Sequence, residues 1–131
     1  GWKELWAPWL YGVLLVHRKV LKPSTIRAVQ SQIEKKEPIC IFPEGTSIGA
    51  QIKSPRNGAA YFSARNNIPI IPVALSGTDQ ISKELKTLQQ PKVSVEFGSP
   101  IYPKGTGKEE TEALTKKTME ALKQMLPSHY H

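Results

Sequence analysis

The feature that most constrains this chain is an alternation of two hydrophobic periods. Continuous apolar runs of four to eight residues take turns with segments whose apolar residues recur every three or four positions. A continuous run marks a strand covered on both faces, and a 3.6-residue period marks a helix with one buried stripe. Strand and helix in turn is the pattern of an α/β fold, so the expected architecture is a mixed, mainly parallel sheet flanked by helices. At 131 residues the chain has room for a single domain of that kind.

Residues 12–16 read as the first strand, β-branched at Val13 and Val16 and running out into His17, Arg18 and Lys19. Over 25–37, Ile26, Val29 and Ile33 share one face of an amphipathic helix, which Pro38 is expected to stop. Ile39, Cys40, Ile41 and Phe42 then form a second buried strand, which makes Cys40 a small core residue. With one cysteine in the chain there is no disulfide, in keeping with a reducing compartment. Residues 45–57 read as a loop, and 58–66, with Ala59, Ala60, Phe62 and Ala64, as a helix small enough to lie close on a sheet. A third strand spans 68–75; Pro69 and Pro72 each lack an N–H, which places it at an edge or makes it irregular. Residues 93–97 alternate as a half-buried strand with Ser94 and Glu96 on the wetter face. Thr106 and Glu109 are spaced as a capping box for a last helix. Leu114, Thr118, Leu122 and Met125 line one face of it up to Leu126, and Pro127 ends it.

Charge and hydropathy narrow the function. Eighteen Lys and Arg against eleven Asp and Glu leave a net charge of +7, which favours partners bearing phosphate: metabolites, nucleic acid or anionic lipid headgroups. Nucleic acid is disfavoured, because no five like charges run together and no zinc-finger or RNA-recognition signature occurs. The best candidate span, residues 6–16, has 11 residues and contains Pro8 and Gly12, well short of the roughly 18–20 a bilayer crossing needs. The opening residues lack the basic head and cleavage site of a signal peptide. A start at Gly1 leads us to expect a chain that is processed, tagged or cut from a longer one, incomplete at its N-terminus. No metal site and no resident cofactor is expected.

The most informative segment is Phe42-Pro43-Glu44-Gly45-Thr46-Ser47. It sets a carboxylate, a glycine and two hydroxyls at the end of a strand, where open α/β sheets bind ligands. Gly45 lets the backbone approach a ligand, neighbouring N–H groups suit an anion, and Glu44 accepts hydrogen bonds from hydroxyls. Taken alone, the same residues also describe an ordinary strand exit with a solvated glutamate.

Its company decides. The hexapeptide resembles the Phe-Pro-Glu-Gly-Thr motif of the glycerophospholipid acyltransferases, the 1-acylglycerol-3-phosphate acyltransferase family, and three further blocks match in the family's order. Residues 12–18, Gly-Val-Leu-Leu-Val-His-Arg, look like its Gly-x5-Arg block; Arg56-Asn57-Gly58-Ala59 resembles its Lys-x-Gly-Ala block; and Ile70-Ile71-Pro72-Val73-Ala74 is similar to its Pro-Val block ahead of a Gly-Thr turn, here Gly77-Thr78. The resemblance covers roughly residues 10–105 and marks the chain, 1–131, as the C-terminal portion of such a domain.

The resemblance implies transfer of a fatty acyl group from acyl-coenzyme A or acyl carrier protein, as co-substrate, to lysophosphatidic acid or a related glycerol phosphate. Arg18 would hold the acceptor phosphate with help from Arg56; Glu44, Gly45 and Thr46 would orient the glycerol; and Pro72 would shape the pocket wall. It also implies a membrane-associated protein at the cytoplasmic face. The family's catalytic pair is a His-x4-Asp upstream of the Gly-x5-Arg block, and this chain has none: Lys22 stands five residues after His17, and His129 and His131 lie too near the end. Catalytic residues are therefore not assigned within the chain. Ser47 stands where the family usually has Arg, and Arg56 where it has Lys. The alternative reading is a non-catalytic module that binds anions or lipid headgroups. His17, by alternation opposite Arg18, reads as structural. Trp2, Trp6 and Trp9 fit either an interfacial face or packing against upstream residues.

Overall fold

The computed structural model describes residues 23–43, 55–78, 81, 86, 90 and 92–128. The chain divides into two compact units, residues 1–41 and 42–131.

In the first unit the described helix is α1, Pro23–Glu34, with Val29 buried and Ile26 and Ile33 half-buried. Pro23 suits the first turn, where its missing N–H has no helical partner to lose. The expected terminator, Pro38, is not what ends the helix. Lys36 takes a left-handed conformation at φ 59°, Lys36 N–H donates to Ile33 C=O at 2.9 Å and Glu37 N–H to Gln32 C=O at 3.1 Å. This double closure satisfies the last carbonyls two residues before the proline. The predicted strand over 39–42 enters no ladder among the described residues. Pro38 and Pro43 bracket it, removing an N–H at each end. Cys40 is accordingly exposed rather than a core residue.

In the second unit α2 (Gly58–Asn66) has the predicted bounds and buries Ala60, Phe62, Ser63 and Ala64. It ends on Asn67 in the left-handed region, with Ile68 N–H returning to Ser63 C=O at 3.2 Å. β1 (Val73–Ser76) and β2 (Ser94–Phe97) pair antiparallel, Val73 opposite Phe97 and Leu75 opposite Val95. The described sheet is thus an antiparallel ribbon where a mainly parallel sheet was expected; the candidate strand at 12–16 lies outside the described residues.

The irregularity expected from the prolines is present. Ile70 and Ile101 exchange both hydrogen bonds at 2.9 and 2.8 Å, and between that bridge and the ribbon Ile71 and Pro72 stand opposite three residues, Gly98, Ser99 and Pro100. One extra residue on the second strand is a bulge. Pro72, with no N–H to give, sits there and offers only its carbonyl, to Gly98 N–H at 2.8 Å.

α3 (Lys108–Met125) closes the unit. The capping box predicted at Thr106 and Glu109 does not form. Gly107, at φ 109°, is the N-cap, and the carboxylate at the third helical position becomes Glu110, which accepts Lys104 N–H at 2.7 Å. A glycine reaches that positive φ without strain, which moves the start by one residue. Glu109 and Glu110 in the first turn and Lys123 in the last complement the helix dipole. α3 packs on α2 and on β1, around a core of Ala60, Ile101 and Leu114 backed by Ile70 and Ala121.

The buried face of α3 carries Thr111, Thr115 and Thr118, whose hydroxyls donate to the carbonyls of Gly107, Thr111 and Leu114 at 2.7 to 2.9 Å. Each polar group is thereby satisfied inside its own helix, so it can be buried. α3 packs on β1, in which Ala74 is buried. All four residues of β2 are exposed, so the half-burial expected for 93–97 is not found.

Candidate functional site

Of the six residues predicted to bind substrate or wall its pocket, Arg56 and Pro72 are described; Arg18, Glu44, Gly45 and Thr46 lie outside the described residues. What the structure adds is a tie between two of the motif blocks. Arg56 N–H donates to Pro43 C=O at 2.8 Å. Pro43 directly precedes Glu44, so this bond holds the entry of the Phe-Pro-Glu-Gly-Thr segment against the Arg-Asn-Gly-Ala segment. A proline carbonyl is a good anchor because its residue cannot twist about φ.

Arg56 is exposed, and two residues later the chain enters α2. Asn57, the N-cap, makes no side-chain capping bond. Arg65, one helical length away, donates to Tyr61 Oη at 3.0 Å and lies 6.0 Å from the centroid of that ring. Arg65 is engaged with its own helix, and Arg56 follows the loop that carries the motif. Pro72 is buried at the bulge.

Sequence reasoning missed an open groove of about 410 Å³ on the flank of Arg56. Pro55 and Asn57 form one wall and α3 the other, through Glu112, Thr115, Lys116, Met119, Glu120 and Lys123. The four charged residues among these fall at helical spacing on one face, a signal legible in the sequence; that this face meets the Arg56 loop is a tertiary fact. Among the described residues no group of three or more His, Cys, Asp or Glu stands together to hold a metal ion. No described helix is long and apolar enough to cross a membrane.

Comparison with known proteins bears on the same segments. The acyltransferase family model matches residues 5–76, which contains all four motif blocks up to the last residue of β1 and leaves β2 and α3 beyond it. Two curated relatives, named 1-acyl-sn-glycerol-3-phosphate acyltransferase, from Salmonella typhimurium and Salmonella typhi, are 34% identical over 120 residues, covering 84% of this chain and 49% of theirs. A relative from Mycoplasma pneumoniae, named a probable 1-acyl-sn-glycerol-3-phosphate acyltransferase, is 28% identical over 117 residues, covering 76% of this chain and 44% of its own. The chain spans about half the length of these relatives. No solved structure matches significantly. With the family model covering more than half of its residues, the chain belongs to the acyltransferase family.

Proposed function

We propose that this chain is the acceptor-binding part of an acyltransferase that moves a fatty acyl group from acyl-coenzyme A or acyl carrier protein to 1-acylglycerol-3-phosphate, at the cytoplasmic face of a membrane. The observation that carries the proposal is the 2.8 Å bond from Arg56 N–H to Pro43 C=O, which joins the loop bearing a guanidinium to the loop bearing Glu44. A forked cation, a carboxylate and hydroxyls carried on two such segments make up the donor and acceptor set that complements a glycerol phosphate. The family resemblance assigns Arg18 and Arg56 to the phosphate, Glu44, Gly45 and Thr46 to the glycerol, and Pro72 to the pocket wall. These groups supply position and not bond making.

The test is calorimetric titration of the 131-residue chain with glycerol 3-phosphate. Losing a charged hydrogen-bond donor to phosphate weakens binding by roughly ten-fold or more, which is the result expected for Arg56→Ala and for Arg18→Ala. Arg65→Ala, which removes a cation paired with Tyr61, leaves binding unchanged. Equal losses at Arg56 and Arg65 would reduce the effect to net charge and defeat the assignment.

One sequence observation favours a second reading. No histidine here is followed five residues later by aspartate, so this chain does not itself contain the base that the chemistry requires. A non-catalytic module for anionic headgroups keeps the same acceptor contacts and differs in never releasing thiol from acyl-coenzyme A.

A further inference from the structure

Gly98 follows β2 directly and is half-buried, and its N–H donates to Pro72 C=O at 2.8 Å across the bulge. Unlike Gly77 and Gly107 it has no positive φ, so its backbone does not call for glycine. Space does. A Cβ at this position would stand 2.9 Å from Met125 Sδ, 3.4 Å from Met125 Cε and 3.5 Å from Pro72 Cβ. The thioether end of Met125 therefore takes the volume that a larger residue 98 would fill, alongside the buried ring of Pro72. Met125 is the last residue of α3, and Leu126 N–H still closes on Leu122 C=O at 3.1 Å, so a complete helical turn delivers this side chain.

We propose that Met125 is a positioning residue: seated on Gly98, it braces Pro72 and so fixes one wall of the acceptor site. The inference rests on the proposed function, which gives Pro72 that wall, and it extends the site beyond the family segment, since Gly98 and Met125 both follow residue 76. Pro72 has no N–H with which to join the second strand, and its carbonyl is tied to Gly98. The extra residue opposite it opens the ladder at this point. Where hydrogen bonds leave a segment loose, packing sets the position of the ring. An unbranched thioether with three rotatable bonds suits an irregular gap of this kind, and the missing Cβ at residue 98 lets it reach the backbone of the strand. α3 also packs on β1, whose first residue follows Pro72, so the helix that carries the brace is itself held against the element that it braces.

The experiment is calorimetric titration of the 131-residue chain and its variants with glycerol 3-phosphate, at a temperature where the thermal melt of each shows it folded. Gly98→Ala puts a methyl group where the thioether sits and displaces Met125, and binding is expected to weaken about five-fold. Adding Met125→Ala to that variant frees the space, and affinity is expected to return to within about two-fold of the unsubstituted chain. Met125→Leu keeps the volume and is expected to bind within about two-fold as well. A contact that only holds the fold together moves the melting temperature and leaves the affinity of folded chains alone. Unchanged affinity in Gly98→Ala therefore overturns the proposal, and so does a loss that Met125→Ala does not relieve. Should Gly98→Ala fail to fold, isotope-labelled methionine methyl groups in the unsubstituted chain give a second measurement. The chain has two methionines, Met119 and Met125, and Met125→Leu identifies the second resonance. Saturation with glycerol 3-phosphate is expected to shift it, and a resonance that stays in place overturns the proposal. Arg56→Ala in the same titrations reports the acceptor site separately. Loss there without loss in Gly98→Ala removes the brace and keeps the site; no loss there, or no binding by the unsubstituted chain, removes the proposed function and the wall with it.

Discussion

At the scale of single residues, backbone conformation decides more than side-chain chemistry. Gly77 leaves β1 at φ 84°, and a Cβ placed on it would lie 2.0 Å from the carbonyl oxygen of Lys92. Both the left-handed conformation and the clash oppose any other residue, so Gly77→Ala is expected to cost about 2 kcal/mol or more, read from urea unfolding. A smaller loss would mean that the turn and Lys92 relax together. The Gly-Thr turn was legible in the sequence; that its glycine lies against the start of the second strand was not. Cys40 shows the opposite case. Its apolar neighbours spoke for burial, but the run enters no ladder among the described residues, and an apolar tetrapeptide without strand partners gives no side chain a fixed inner face.

At the scale of elements, α3 is where the sequence was most informative and where its detail still shifted. The 3.6-residue period located the helix, yet the buried face is set by Thr111, Leu114, Thr115, Thr118 and Met119, with Leu122 and Met125 only half-buried. Threonine reads as polar in a pattern; here each buried hydroxyl bonds the carbonyl four residues back and leaves a compact, methyl-bearing surface for α2. Two substitutions separate packing from hydrogen bonding. Leu114→Ala removes the most buried side chain of the helix and is expected to destabilise by about 2–4 kcal/mol. Thr115→Val keeps the branched shape, and the carbonyl of Thr111 retains its ordinary helical N–H, so no buried acceptor is left unsatisfied and a change within about 1 kcal/mol is expected. Thermal melts of the two variants check this, and comparable losses would contradict it.

At the scale of the molecule, the chain joins an acyltransferase family segment at 5–76 to two elements beyond it: β2, which completes the ribbon, and α3, which packs on β1. α3 also forms one wall of the groove whose other wall is Pro55 and Asn57, the chain neighbours of Arg56. In the 131-residue sequence no histidine is followed five residues later by aspartate, and this has a direct test on the chain. Loss of a general base forfeits on the order of 10² to 10⁴ in rate, so the 131-residue chain mixed with acyl-coenzyme A and lysophosphatidate is expected to release thiol at background only. Cys40 is exposed and reacts with the thiol reagent, so the assay uses Cys40→Ser, and sustained release by that variant would show a base within the chain.

The sequence by itself determined the period of each segment, the bounds of α2, the interruption at Pro72 and the family to which the ordered motif blocks belong. These are local properties: a helical stripe, a missing N–H and a short motif act through neighbours in the chain. Only the tertiary structure decided that the described strands pair antiparallel, that Arg56 bonds back to Pro43, that α3 walls the groove and that the ribbon's apolar residues face outward. Alternation assigns residues to two faces of a strand but does not say which face is covered. That depends on where the helices settle, and among the described residues α3 packs on β1, whose Ala74 is buried while Val73 and Leu75 are exposed.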